Sequence, residues 1–234
     1  IIQALGLDPK AGGFDFNLGF LIQKEYDPSV FFLPVDFIYL VLLGIIIGIF
    51  AELYSRYVLL MQNLGKKWYK NKFVLKMSIC GLILGSIYSC LPSTFHNLDE
   101  LQKIIAEQNT SIGIALLAVL VLFITTGLAA ASGAPGGLFY PMLTLGGAIG
   151  LIMGSWVEIA TGHAPSTYIF AGMGAFVAGC SRTPITAMFL AFALTKNLLI
   201  MKPVLISCIA SFLIARAFNE ESIYERQIQI ELED

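Results

Sequence analysis

The sequence predicts an all-α, polytopic membrane protein, and three observations support this fold class. Of the 234 residues, 57% are hydrophobic and 13% are charged, which leaves too little polar surface for a water-soluble globule. The apolar residues occur in runs of about 20, the length of a helix that crosses a bilayer. Two of the apolar stretches are interrupted by glycine or proline. The net charge of −2 also argues against a nucleic-acid partner.

The N-terminal part differs in composition from the rest. Residues 1–34 are mixed in polarity and contain several turn-forming pairs, so we predict a loop with one short interfacial helix. Because the chain begins with Ile1 rather than Met, we interpret it as a fragment. Residues 35–234 are predicted to form one transmembrane domain. Its first helix covers residues 35–63 and ends at a lysine-rich loop, Lys66 to Lys76, which the positive-inside bias places in the cytoplasm together with the C-terminus.

Polar and small residues on the first two spans have more than one interpretation. Glu52 and Arg56 lie four residues apart on one helix face. An ionisable group within a membrane span is a candidate proton relay, although we favour an interfacial ion pair here. The second span, residues 73–90, carries Gly81 and Gly85 at a spacing that suits close helix contact.

The middle of the chain is more polar. Residues 92–110 mix acidic and apolar side chains in a pattern that predicts a short amphipathic helix at the membrane interface. The cysteines lack CxxC spacing, so we interpret them as packing residues and expect neither a disulfide nor a metal site. They are Cys80, Cys90, Cys180 and Cys208.

The longest uncharged run contains the segment SGAPGGLFYP, residues 132–141, between predicted spans at 112–130 and 142–157. In hydrocarbon, broken backbone survives only where protein buries it or where it lines a wet cavity. A helix that starts near Leu138 would direct its unpaired amides and its positive dipole end out of its N-terminus. The break therefore predicts an anion-binding site, and Gly137→Val is expected to disturb the helix start.

A second interrupted pair follows at residues 168–180 and 185–194. Such paired segments are typical of a transport site at the bilayer midplane. Pro184 fits the first turn of the second half-helix, with Ser181 or Thr183 as its cap.

Arg182 lies at this second break, where it is either a charge that attracts anions or a donor to carbonyls at the end of the preceding half-helix. We favour the second role. The last full span covers residues 198–218, and a short polar helix at 223–228 should emerge into water.

Several segments, taken in order, resemble the CLC family of chloride channels and proton/chloride antiporters. The resemblance extends from about residue 38 to 228 and implies the second of the family's two inverted halves, with the N-terminal half missing. The family's GSGIP and GREGP segments have no match here. The matching segments are GIIIGIF at 44–50, SGAPGGLFYP at 132–141, AGMGA at 171–175 and SRTPIT at 181–186.

This resemblance implies the site residues. The family's GxFxP opening, here Gly137 to Pro141, implies that Gly137, Leu138 and Phe139 bind a central chloride ion, with the backbone amides of Leu138 and Phe139 facing it. The hydroxyl of Tyr224 is implied to donate to the same ion. From the residues alone, a lone tyrosine at the start of an interfacial helix is more typical of a headgroup anchor.

The resemblance also implies the partners. Chloride is the transported substrate, protons are a possible second one, and no cofactor is expected. In the lipid bilayer the chain is expected to form a homodimer through residues 35–62 and 184–217, where Gly44 and Gly48 allow close approach.

The expected function is therefore chloride transport by a voltage-gated channel or an antiporter, not an enzyme activity. We expect the 234 residues alone to be inactive, because half of a site cannot replace the water around chloride. One alternative is an intramembrane serine protease with Ser132 activated by His163, although a base in the turn around His163 is poorly placed for that role. Another is an inert structural fragment without a special conformation at residues 132–141.

Overall fold

The computed structural model describes residues 34–68, 73–106, 111–133, 136–161, 166–195 and 198–232. The N-terminal loop predicted for residues 1–34 lies outside this part, apart from its last residue. Within the described ranges the regular structure is helical and contains no strand, which confirms the fold class. The α-helices are α1 (Pro34–Trp68), α2 (Phe73–Ser89), α3 (Leu98–Ala106), α4 (Ile112–Ser132), α5 (Phe139–Thr161), α6 (Thr167–Ser181), α7 (Pro184–Thr195), α8 (Met201–Phe218) and α9 (Ile223–Leu232).

Four helical segments of the described residues are long and apolar enough to cross a membrane. Three other apolar helices, α2, α6 and α7, are shorter. The chain is therefore a multi-pass integral membrane protein with short helices between its full spans. The four long segments are Asp36–Lys67, Ile112–Ser132, Phe139–Ala160 and Met201–Ile230.

Helix α6 forms the centre of the fold. All of its side chains from Thr167 to Cys180 are buried, and it packs against α1, α5, α7 and α8. A helix that is apolar on every face is stable only when protein or lipid surrounds it. Helix α6, which the sequence predicts as the first half of the second interrupted pair, is therefore enclosed by other helices.

Glycines allow the closest helix contacts. Gly146 on α5 faces Gly172 on α6, and a Cβ atom on either residue would collide with the carbonyl oxygen of the other. On α1, a Cβ at Gly44 would lie 2.6 Å from the Ser207 carbonyl oxygen of α8. Gly48 approaches α8 in the same way. The close approach predicted for Gly44 and Gly48 is thus made within one chain.

The same spacing has a different result on α2. No atom of the described residues lies within 4 Å of a Cβ built at Gly81 or at Gly85. The close helix contact that this spacing suits is not made within the described residues. Residue spacing alone shows that a helix face is smooth, but it does not show which helix, if any, covers it.

The amphipathic helix predicted in the polar middle segment is confirmed as α3. Leu101 and Ile105 are buried on one face, which packs against α5, while Glu100 and Lys103 are exposed. The apolar residues recur at a spacing of four, as the sequence pattern predicts.

Candidate functional site

The predicted break in the longest apolar run is present. Helix α4 ends at Ser132, and Gly133 follows with φ 73°, a left-handed conformation that glycine adopts without strain. Helix α5 begins at Phe139, and its first helical hydrogen bond runs from the Met142 N–H to the Leu138 carbonyl, at 3.1 Å. The predicted helix start near Leu138 is therefore confirmed.

The start of α5 exposes donor groups that the helix itself does not satisfy. In any α-helix the first N–H groups lack a carbonyl four residues earlier. Pro141 occupies the third position of α5, where its missing N–H removes a group that has no intrahelical partner. The amides of Leu138 and Phe139 lie at this positively polarised end.

A cavity of about 850 Å³ opens at this helix end. Its wall includes Gly137, Leu138 and Phe139 from the break, and Tyr224 from α9. The structure thus brings together all four residues named as chloride ligands from sequence. Polar and charged side chains on the same wall are Gln62, Lys66, Lys76, Tyr88, Thr125, Thr126 and Gln227.

A capping box fixes the start of α9 and with it Tyr224. The Ser222 hydroxyl accepts a hydrogen bond from the Glu225 N–H at 3.2 Å, and the Glu225 carboxylate accepts one from the Ser222 N–H at 2.6 Å. This reciprocal pair stabilises the first turn. The signal is visible in the sequence as S-x-x-E but was not part of the sequence interpretation. Tyr224 lies in this turn with 39% of its surface exposed.

Helix α9 does not simply emerge into water, as the sequence suggested. Ile223 and Arg226 are buried, and α9 packs against α1 and α6. The prediction of a solvated polar helix is wrong because buried charges on α1 provide partners for Arg226.

Those charges are centred on Glu52, which is 3% exposed. Its carboxylate accepts hydrogen bonds from Arg56 at 2.9 Å and from Arg182 at 2.7 Å. Arg226 contributes two more, at 3.1 and 3.2 Å. The predicted pair with Arg56 is confirmed, but the side chain of Arg56 is 60% exposed, whereas the side chains of Arg182 and Arg226 are 7% and 10% exposed. The cluster therefore joins α1, the end of α6 and α9.

Arg182 also connects the second break to the end of α8. Its guanidinium donates to the carbonyls of Ala215 and Asn219, at 3.0 to 3.2 Å. The favoured interpretation, that Arg182 satisfies helix-end carbonyls, is confirmed in kind. The helix is a different one, because the carbonyls belong to α8 and not to the preceding half-helix.

The second break has the predicted local geometry. Arg182 follows α6 with φ 62°, a left-handed conformation that is uncommon for a residue with a side chain. Pro184 is the first residue of α7, and the Ala187 N–H donates to the Thr183 carbonyl at 3.1 Å. Thr183 therefore occupies the cap position, with its hydroxyl 2.7 Å from that of Ser181.

The protease alternative rests on Ser132 and His163, and only Ser132 lies in the described structure. The Ser132 hydroxyl is buried and donates to the Ala129 carbonyl at 2.7 Å, within its own helix. His163 lies outside the described residues.

Fold and site together define a class of protein: a multi-pass helical membrane protein with interrupted helices, one of which opens its N-terminus into a cavity. A family model described as "Voltage gated chloride channel" matches residues 13–216. The chain belongs to this family.

Curated relatives extend beyond the matched region. The chain is 31% identical over 203 residues to the H(+)/Cl(-) exchange transporter ClcA of Klebsiella pneumoniae subsp. pneumoniae. This alignment covers 84% of the chain and 43% of the relative. It is 29% identical over 191 residues to the protein of the same name from Vibrio parahaemolyticus, which covers 79% of the chain and 41% of that protein. The chain therefore spans less than half the length of these relatives.

Solved structures show the same fold. The crystal structure of a slow cyanobacterial Cl-/H+ antiporter superposes with a TM-score of 0.74 at 23% identity, over 86% of this chain and 48% of the other. A eukaryotic CLC transporter gives a TM-score of 0.71 at 22% identity, over 90% of this chain and 37% of the other.

Proposed function

We propose that this chain is part of a CLC-type chloride transport protein and that its cavity binds the chloride ion. One observation carries the proposal: Leu138 and Phe139 at the start of α5 and Tyr224 on α9 line the same cavity. Helix N-termini bind anions because their amides and dipole act in the same direction.

The arrangement supplies replacements for the water that a chloride ion loses. The amides of Leu138 and Phe139 are the proposed donors at the N-terminal end of α5, and the hydroxyl of Tyr224 on α9 is proposed as a further donor to the ion. Gly137 leaves access to these amides because it has no side chain. Within the described part of the chain, the wall contains no Asp or Glu that would repel an anion.

The reaction proposed is movement of an ion, without covalent chemistry, cofactor or metal. The relatives in Klebsiella and Vibrio are named as proton/chloride exchangers, whereas the family model carries the name of a channel. The names of the relatives favour protons as the second substrate of the complete protein.

The 234 residues alone are proposed to be inactive in transport. They span 41% to 43% of the curated relatives, and one set of donors does not surround the ion. Liposomes that contain only this chain should release no chloride above the level of empty liposomes. We use the term native assembly for the protein as it occurs in its own membrane, with any accompanying polypeptide. Liposomes that contain the native assembly should release chloride.

Residues 35–234 are proposed to form one transmembrane domain. Two copies of this domain are proposed to form a homodimer through residues 35–62 and 184–217. Ile49 and Leu53 on α1, and Ile185 and Phe189 on α7, are exposed apolar side chains in these ranges. Gly44 and Gly48 do not contribute, because α8 covers them. Cysteine pairs introduced at these exposed positions should cross-link two copies.

The segment from Lys66 to Lys76 and the C-terminus are proposed to lie on the cytoplasmic side. Labelling of cysteines introduced in each of the two segments, with a reagent that does not cross the membrane, tests this.

Tyr224→Phe is expected to weaken chloride binding by about ten- to a hundredfold, because a hydrogen bond to a charged group contributes roughly 1.5–3 kcal/mol. Titration calorimetry of the native assembly measures this effect, and Tyr224→Ala should also loosen any proton coupling. Tyr88→Phe is the matched control, since Tyr88 on α2 lines the same cavity and is not a proposed chloride ligand. Equal affinities for Tyr224→Phe and the wild type would contradict the assigned role.

Gly137→Val is expected to abolish chloride binding without unfolding the protein. The structure corrects the reason given from sequence: no atom of the described residues lies within 4 Å of a Cβ at Gly137, so the helix start need not move. The valine side chain instead occupies space at the amides of α5. Gly113→Val, at a similarly open position on α4, is the control. Unchanged flux and selectivity in Gly137→Val would refute the anion-receptor interpretation.

A further inference from the structure

The cavity wall carries a buried lysine that the proposed chloride ligands do not explain. Lys76 on α2 is 9% exposed and lines the cavity. Within the described residues, its ammonium makes no ion pair with Asp or Glu. A charged side chain within a membrane protein is costly unless a partner or water compensates it. The cavity is where such compensation is available to Lys76.

A second lysine lines the same cavity. Lys66, at the end of α1, donates to the Ile230 carbonyl of α9 at 3.1 Å. Lys66 lies in the last turn of α1 and Lys76 in the first turns of α2, and both residues line the same cavity. The described wall therefore has two cationic side chains and no acidic one.

We propose that Lys66 and Lys76 draw chloride, or another small inorganic anion, into the cavity before it reaches the amides of α5. This inference rests on the proposed function. Two like charges in a concave, low-dielectric site raise the local concentration of counter-ions and their rate of arrival. The Debye length is about 30 Å at 0.01 M ionic strength and about 3 Å at 1 M, so the attraction that the two charges exert on anions outside the cavity should largely disappear at high salt.

The loop provides a matched control for charge. Lys67 is next to Lys66 in sequence, but it is exposed and is not part of the described wall. Lys67→Gln removes one charge from the same loop without changing the cavity. Lys76→Arg preserves the charge of the buried residue and should preserve its effect.

The test compares Lys66→Gln/Lys76→Gln with the wild type in the native assembly, at 0.01 M and 1 M ionic strength set with sodium gluconate. Chloride affinity by calorimetry and initial chloride flux into liposomes are measured. We expect about a tenfold loss of both in the double variant at low ionic strength. The loss should fall below about twofold at high ionic strength, with Lys67→Gln close to wild type throughout.

Three results would overturn the proposal. The first is a double variant equal to the wild type at low ionic strength. The second is an equal loss in Lys67→Gln, which would assign the effect to the whole loop. The third is a loss that high salt does not reduce, which would indicate a packing defect.

If the double variant does not fold, Lys66→Gln and Lys76→Arg are compared in the same way, and equal affinities at low ionic strength refute the proposal. A wild type that binds no chloride would instead refute the proposed function.

Discussion

Glu52→Gln is expected to destabilise the protein by about 3–5 kcal/mol, because it leaves buried guanidinium groups without their counter-charge. Arg182 and Arg226 are buried, and both form ion pairs with Glu52 at 2.7 and 3.1 Å. Loss of this carboxylate should also loosen α9, which Arg226 ties to α1. The free energy of unfolding in detergent, from denaturant titration followed by circular dichroism, measures the effect.

Arg56→Gln is the control for this experiment. It removes an ion pair with the same carboxylate, but the Arg56 side chain is 60% exposed. Exposed ion pairs contribute about 0–1 kcal/mol, so the control should be close to wild type. Equal losses in the two variants would show that burial of the arginines does not determine the stability of the cluster.

The second large effect is expected from Gly172→Ala, at about 3 kcal/mol of lost stability, the upper part of the usual range for overpacking. A Cβ at Gly172 collides with the Gly146 carbonyl oxygen, which is backbone and cannot rotate away. Helices α5 and α6 must then separate. Since α5 also carries the amides of the cavity, chloride affinity should fall in the same variant.

Gly81→Ala provides the comparison, because no described atom lies within 4 Å of its Cβ. Alanine has the higher helix propensity, so Gly81→Ala should leave stability unchanged or raise it by up to about 1 kcal/mol. If both variants had the same unfolding free energy, the close contact of α5 and α6 would not be a determinant of stability. Denaturant titration in detergent measures both.

The helix breaks could be predicted from sequence because their causes are local. Glycine and proline end helices through their own backbone properties, so the α5 start near Leu138 and the α7 start at Pro184 were both correct. The length and polarity of the apolar runs likewise predict the four long spans, whereas α2, predicted as a full span at residues 73–90, is one of the shorter apolar helices. Tyr224 was different, since only the resemblance to a family connected it with the break.

The contacts between distant segments could not be predicted in this way. Glu52 and Arg56 are visible as an i,i+4 pair, but nothing local to Glu52 indicates Arg182 or Arg226. The same limit applies to the two glycine pairs, which have the same spacing in sequence. Helix α8 packs against Gly44 and Gly48, whereas no described atom lies near a Cβ at Gly81 or Gly85. Lys76 was interpreted only as part of a cytoplasmic loop, since its burial depends on how α2 packs.

The position of a bound halide in the native assembly tests the central claim most directly. Crystals soaked in bromide, measured at the bromine absorption edge, give that position from anomalous scattering. We predict a peak in the cavity within hydrogen-bonding distance of the Leu138 and Phe139 amides and of the Tyr224 hydroxyl. A cavity without a peak, in crystals that bind bromide elsewhere in the protein, would contradict the account.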